Sequence, residues 1–222
     1  MIHDITPPVS KALKVWPGDT PPTREILLDL ERGDPITLSS LHATVHLGAH
    51  ADAPSHYGRG AATIDARPLD LYLGPCQVIG VRVPGGALVA PADLSVAIVA
   101  PRVLIRTGTF PDPTAFHEDF AALAPALVAS LHNRGVRLVG IDTPSVDPFD
   151  STDLPAHRTF LAHDMAILEG LNLSGVPDGL YELIALPLRL VGFDASPVRA
   201  VLRTIDARPT ALYGSSSPWS LS

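Results

Sequence analysis

Three imidazoles and a carboxylate share one set of alternate residues in the stretch His46–His56, HLGAHADAPSH: His46, His50, Asp52 and His56. The alternation starts earlier. Odd positions from Leu41 read Leu41, Ala43, Val45, Leu47, Ala49, Ala51 and Ala53; even positions read His42, Thr44, His46, Gly48, His50, Asp52 and Pro54. A strand points successive side chains to opposite faces. One face of this segment is therefore small and apolar, and the other carries groups that bind metals or move protons. Neutral imidazole and carboxylate suit zinc, manganese or iron. The bland alternative is a polar strand face whose histidines are satisfied by hydrogen bonds. A single histidine would favour it. Three histidines and an aspartate, flanked by alanines that leave room, argue for a metal. For His42, which lies beyond any bend, the bland reading is preferred.

On a straight strand His46 and His50 would lie roughly 13 Å apart, at about 3.3 Å per residue. That is too far for one ion, so the backbone must bend. Gly48 lies midway, where a bulge or tight turn is cheapest. A helix would join His46 to His50 but throw Asp52 to another face, and Pro54 would break it. The expectation is a bent strand, or a strand entering a loop. A metal site also needs a second segment. Candidates gather in IDTPSVDPFDSTDLPAHRTFLAHDMAILEGL: Asp142, Ser145, Asp147, Asp150, Asp153, His157, His163 and Glu169. Spacing does not choose among them. Loop aspartates are commonly turn formers and caps. Glu169 stands out because it ends an apolar run, MAIL, where an unpaired carboxylate is costly to bury.

The elements that position these residues are short. Twenty-three prolines and seventeen glycines punctuate 222 residues. Strand-like runs cover 2–6, 25–30, the Leu41 face, 76–83, 103–107, 136–142, 165–168, 181–186 and 188–193, bounded by Gly or Pro. Helical periodicity is clear over 114–134, with Phe116, Phe120, Leu123, Leu127, Val128 and Leu131 at three- and four-residue spacing. Pro125 should kink that helix and Gly135 stop it. A shorter helix is expected near 91–94. Many strands with few helices between them favour an α+β domain with a layered or partly barrel-like mixed sheet. The chain reads as one domain over 1–203 and a weakly structured tail over 204–222, where Tyr213 or Trp219 could pin it down.

Composition bounds the function. The formal net charge is −7, and no basic cluster of five residues occurs, so neither nucleic acid nor an anionic membrane surface is the expected partner. No apolar run approaches the roughly 18 residues that span a bilayer, and MIHDITPPVS lacks a signal-peptide pattern. The lone cysteine, Cys76, sits in CQVIGVRV and reads as a core residue. A cytoplasmic protein is expected.

HLGAHADAPSH resembles the signature HxGTHxDxPxH of the metal-dependent cyclase-like hydrolases. Ala49 replaces the usual threonine and touches no ligand position. His157 followed twelve residues later by Glu169, and WPGD at Trp16–Asp19, match further family elements. The resemblance runs from Ile2 to about Arg203. Within the family the pattern looks like the bacterial kynurenine formamidases. It implies a swivelling β/β/α domain, a homodimer, a small-molecule substrate and two divalent ions, most simply zinc, with manganese as the alternative. It further implies that His46, His50 and Asp52 hold the first ion, and that Asp52 bridges to a second completed by His157 and Glu169. His56 would be the catalytic acid/base and Trp16 would lie against an aromatic substrate. A related cyclic-amide hydrolase, such as one opening isatin, would use nearly the same ligands. A non-catalytic metal-binding protein would not require His56.

Overall fold

Short apolar runs cut by Gly and Pro become short strands, because neither residue propagates regular structure far. The computed structural model describes residues 1–205. In chain order these contain β1 (Ile2–Asp4), β2 (Thr23–Leu28), β3 (Leu38–His42), β4 (His50–Asp52), α1 (Pro54–Tyr57), β5 (Leu73–Gly80), β6 (Leu88–Val89), β7 (Arg102–Arg106) and β8 (Ala122–Leu123). There follow α2 (Pro125–His132), β9 (Leu138–Ile141), α3 (Pro155–Ala162), β10 (Ala166–Glu169), β11 (Gly179–Ile184), β12 (Ala195–Pro197) and β13 (Val201–Thr204).

Nine strands form one mixed sheet in the order β1-β13-β11-β5-β7-β9-β10-β4-β12. The centre, β5 to β10, is parallel. Both flanks are antiparallel. The sheet curls part-way into a barrel, so the fold is α+β with few helices, as the sequence led us to expect. Two smaller ribbons, β2–β3 and β6–β8, stand beside it.

The two faces of the sheet bury different cores. Val103, Ile105, Val139, Ile141 and Ile167 pack with Leu127, Val128 and Leu131 of α2 and Phe160 of α3. Their alternating neighbours Leu104, Leu138 and Leu168 pack with Cys76, Val78, Leu183 and Leu202 on the other face. Ala49, Ala51 and Ala53 join this second cluster. The small apolar face read from the sequence is therefore a core face, and its partner face looks toward α1 and α3.

Three expectations need correction. The helix over 114–134 exists only as α2, and it begins at Pro125 instead of kinking there. Proline suits the first helical position, where its missing N–H costs nothing, and it drives the preceding residue to extended backbone. Ala124 accordingly has φ −67° and ψ 137°. The periodic Phe116 and Phe120 lie outside the helix and pack around Trp16. The strand expected over 188–193 is irregular. Pro187 and Gly192, the latter at φ +81°, interrupt it. Finally, β13 carries regular structure to Thr204, whose N–H donates to the Met1 carbonyl at 2.9 Å. The rest of the expected tail, with Tyr213 and Trp219, lies outside the described residues. Among the described residues no helix is long and apolar enough to cross a membrane.

Candidate metal centre

The alternation at 41–54 does not form one strand. β3 ends at His42, which is exposed, and β4 begins at His50. Between them the chain turns through Gly48, at φ +55°. The turn brings His46 back beside β4. A second glycine makes this possible. A Cβ on Gly170, at φ +63°, would lie 2.2 Å from the Gly48 carbonyl oxygen. The Gly170 backbone lies against the Gly48 peptide because it carries no side chain there, and Glu169 is thereby set next to the turn.

Strand register does the rest. His50 and Asp52 share a face of β4, with Ala51 turned into the core. β10 runs antiparallel beside β4, and Glu169 pairs directly with His50. Pro54 opens the single-turn α1, which presents His56. His157 comes from the first turn of α3. That helix start is held from outside by Asp147, whose carboxylate accepts the backbone N–H groups of Ala156 at 2.9 Å and His157 at 3.0 Å.

The donor atoms converge. His46 Nδ1 lies 3.1 Å from Asp52 Oδ1, and His50 Nε2 lies 3.4 Å from the same oxygen. His50 Nε2 is 3.3 Å from Glu169 Oε2. His157 Nε2 is 3.3 Å from Asp52 Oδ2 and 3.5 Å from Glu169 Oε1. Two groups of ligand atoms emerge, His46–Asp52–His56 and His50–Asp52–Glu169, each within 4.8 Å. Asp52 belongs to both. His56 is thus close enough to ligate.

Each inward nitrogen has an outward counterpart that is already held. His50 Nδ1 donates to the Gly48 carbonyl at 2.8 Å. His157 Nδ1 donates to Asp147 Oδ2 at 2.7 Å. His46 Nε2 donates to Asp194 Oδ2 at 3.0 Å. Such outer acceptors fix the tautomer and aim the second nitrogen's lone pair inward.

Four of the inward atoms, His50 Nε2, His157 Nε2 and both Asp52 oxygens, are buried without a hydrogen-bond partner. Orphaned buried polar groups are costly and rare. Here they face one another, and a divalent cation bound between them would satisfy them together. The imidazole and carboxylate set also suits that cation chemically. Metal-free, the cluster can be balanced only by protons. Burial pulls the His50 ring down, but the Asp52 and Glu169 carboxylates outweigh it and raise the ring to about 10. Burial likewise opposes His157, while Asp147, Asp52 and Glu169 together hold it up at about 12. Asp52 is held well below the ordinary carboxylate range despite its burial, by His157, His46 and His50. Glu169 is also lowered, against both burial and the Asp52 charge, by His157 and His50.

The centre forms one wall of a cavity of about 660 Å³. Trp16, Phe110, Phe116 and Phe149 also line it. Trp16 is half-buried, with ring centroids 4.9 Å from Phe149 and 5.8 Å from Phe116. Cavities of this size hold small molecules.

Every site residue named from the sequence lines this cavity or its metal-facing wall. The other candidates of the second segment separate by environment. Asp150 and Asp153 are exposed. Asp142 accepts the backbone N–H groups of Thr107 and Gly108. The Ser145 hydroxyl accepts the Asp147 backbone N–H. His163 stacks on His132 at 4.1 Å. Asp194 was missed altogether. Its one available signal is that it ends an apolar run, LVGF, as Glu169 ends MAIL.

Comparison with known proteins agrees with this geometry. Residues 3–148 match the Cyclase family model, described as "Putative cyclase". A solved "Potential Metal-Dependent Hydrolase With Cyclase Activity" is 30% identical, with TM-score 0.78, covering 91% of this chain and 96% of its own. A "predicted metal-dependent hydrolase from Bacillus stearothermophilus" is 30% identical, with TM-score 0.76 and coverages of 91% and 97%. Isatin hydrolase A from Labrenzia aggregata, bound to benzyl benzoate, shares the fold at 21% identity, TM-score 0.75 and coverages of 91% and 93%. With its metal-dependent hydrolase relatives, this chain belongs to the Cyclase family.

Proposed function

We propose that this chain is a cytoplasmic kynurenine formamidase, which hydrolyses the formamide of N-formyl-L-kynurenine to L-kynurenine and formate in tryptophan degradation. One observation carries the reading: aromatic rings line the same small-molecule-sized cavity as a cluster of imidazole and carboxylate groups, four of whose buried atoms have no hydrogen-bond partner.

His46, His50 and Asp52 would hold one ion, and Asp52, His157 and Glu169 a second. Divalent ions supply Lewis-acid polarisation of a carbonyl and lower the pKa of water toward about 7. The protein's own residues do the remaining work. Trp16 stacks on the aryl ring and sets the formamide against the cluster. His56, exposed at the cavity edge, accepts a proton as the water O–C bond forms. It returns that proton to the aniline nitrogen as the C–N bond breaks. General acid–base help of this kind is typically worth roughly 10²–10⁴-fold. Residues 1–203 act as one catalytic domain in this reading.

A homodimer is part of the proposal. Among the described residues β2 and β3 pair only with each other, and Ile26, Leu27, Leu38 and Leu41 on them are exposed. A ribbon with exposed apolar side chains suits a second copy; sedimentation velocity reads this directly. The runner-up activity is opening of a cyclic amide such as isatin, which an aromatic cavity of this size also accommodates. Turnover of N-formyl-L-kynurenine and isatin, each with zinc and with manganese, tests the proposal. Preference for the linear formamide supports it, and preference for isatin replaces it.

A further inference from the structure

We propose that Asp194 is a positioning residue that serves both halves of the centre at once. A single carboxylate oxygen would orient His46 toward the metal and His56 toward the substrate. The inference rests on the roles given above to those two histidines.

Asp194 Oδ2 lies 3.0 Å from His46 Nε2 and 3.4 Å from His56 Nδ1. The two rings are 4.2 Å apart, centroid to centroid. One carboxylate oxygen has lone pairs for two donors. A ring nitrogen facing that oxygen carries the proton, so the other nitrogen of each ring keeps its lone pair. For His46 the free nitrogen is Nδ1, 3.1 Å from Asp52 Oδ1. For His56 it is Nε2. The carboxylate thereby selects opposite tautomers in neighbouring rings. Catalytic contacts of this kind tighten when substrate binds, and the 3.4 Å contact needs only a small ring rotation to become a hydrogen bond.

The backbone is built to hold this carboxylate still. Asp194 directly precedes β12, whose Ala195 pairs with Asp52. The Asp194 carbonyl accepts the Ala53 N–H at 2.8 Å, and the Phe193 carbonyl accepts the Ile64 N–H at 2.9 Å. The aspartate is thus pinned between the strand that carries the ligands and the segment after α1. Its side chain is nonetheless 47% exposed, so the surrounding core does not need it. A carboxylate that backs a metal-facing histidine is a familiar outer-shell device. The feature special to this site is that the same oxygen reaches the acid/base.

The test uses the zinc-loaded full chain and Asp194→Ala, with Asp194→Ser as a second variant should the first misfold. Long-range ¹⁵N–¹H NMR, assigned with His46→Gln and His56→Gln, reads the tautomers. The wild type should show Nε2–H on His46 and Nδ1–H on His56; in the variants His56 should become a mixture, while zinc at Nδ1 keeps the His46 proton on Nε2. Zinc affinity should fall about 10–100-fold. kcat should fall by a similar factor with KM within about twofold, and that loss should vanish in a His56→Ala background, because groups acting as a unit are not additive. An unchanged His56 tautomer in the variants, or an equal kcat loss with and without His56, would overturn the proposal. If the wild type does not turn over N-formyl-L-kynurenine, the functional reading fails by itself. The tautomers and the zinc affinity still decide the role of Asp194.

Discussion

Replacing Gly170 with alanine should open the metal centre from behind. The new Cβ would lie 2.2 Å from the Gly48 carbonyl oxygen. Carbon–oxygen contacts normally approach no closer than about 3.3 Å, so the two backbones must part by about 1 Å. Gly48 lies between His46 and His50, and Gly170 follows Glu169. The displacement is therefore delivered to ligands on both sides of the cluster, where distances matter to about 0.2 Å. Left-handed backbone adds roughly 1–2 kcal/mol for a non-glycine residue, and overpacking typically adds about 1–3 kcal/mol. The fall in Tm should be roughly 5–20 °C for a chain of this size. Gly135→Ala is the control. Its φ is +82° and its Cβ would meet nothing within 4 Å, so it carries the backbone cost without the collision. Scanning calorimetry and zinc titration of both variants make the comparison. Equal losses of stability, with zinc affinity intact in Gly170→Ala, would refute the argument that a close glycine approach assembles the centre.

Three further outcomes are expected. His56→Ala should retain its metal and lose roughly 10²–10⁴-fold in kcat; loss of metal together with activity, by mass spectrometry, would make His56 a ligand instead. Trp16→Ala should raise KM for N-formyl-L-kynurenine far more than for a small aliphatic formamide, and equal effects on the two would rule out stacking. The metal-free protein should be most stable between about pH 4.5 and 6.5. Below that window Asp52 and Glu169, whose folded values are depressed, take up protons and their contribution is lost. Above it, the contribution of His50 and His157 fades as pH rises toward their folded values of about 10 and 12. Metal-loaded protein should not show that alkaline decline, since neutral imidazole is the ligand form. A metal-free Tm that stays level from pH 6.5 to 9 would count against the paired-charge account.

The metal-facing half of the centre was legible because it is local. Alternation separates Ala49, Ala51 and Ala53 from His50 and Asp52, and the i to i+4 gap between His46 and His50 demands a bend where Gly48 stands. Glu169 showed itself as a carboxylate at the end of an apolar strand. What stayed hidden depends on contacts between distant parts of the chain. Asp194 meets His46 across 148 residues, through the pairing of β12 with β4, a three-residue strand. Asp147 reads as a turn former in the sequence, yet it caps α3 and orients His157. Phe116 and Phe120 mimic a helix face, although their spacing serves the aromatic cluster around Trp16. Extended segments between prolines leave no periodic trace of which side chains they will gather.

The central claim is that the buried, partnerless nitrogens and oxygens of His50, Asp52 and His157 exist to hold a divalent ion. The most direct measurement is an anomalous-scattering map of zinc-reconstituted crystals. The account predicts one density peak within about 2.0–2.2 Å of His50 Nε2 and an Asp52 oxygen, and a second within the same distance of His157 Nε2 and an Asp52 oxygen. Saturating zinc with no density among those atoms would contradict it.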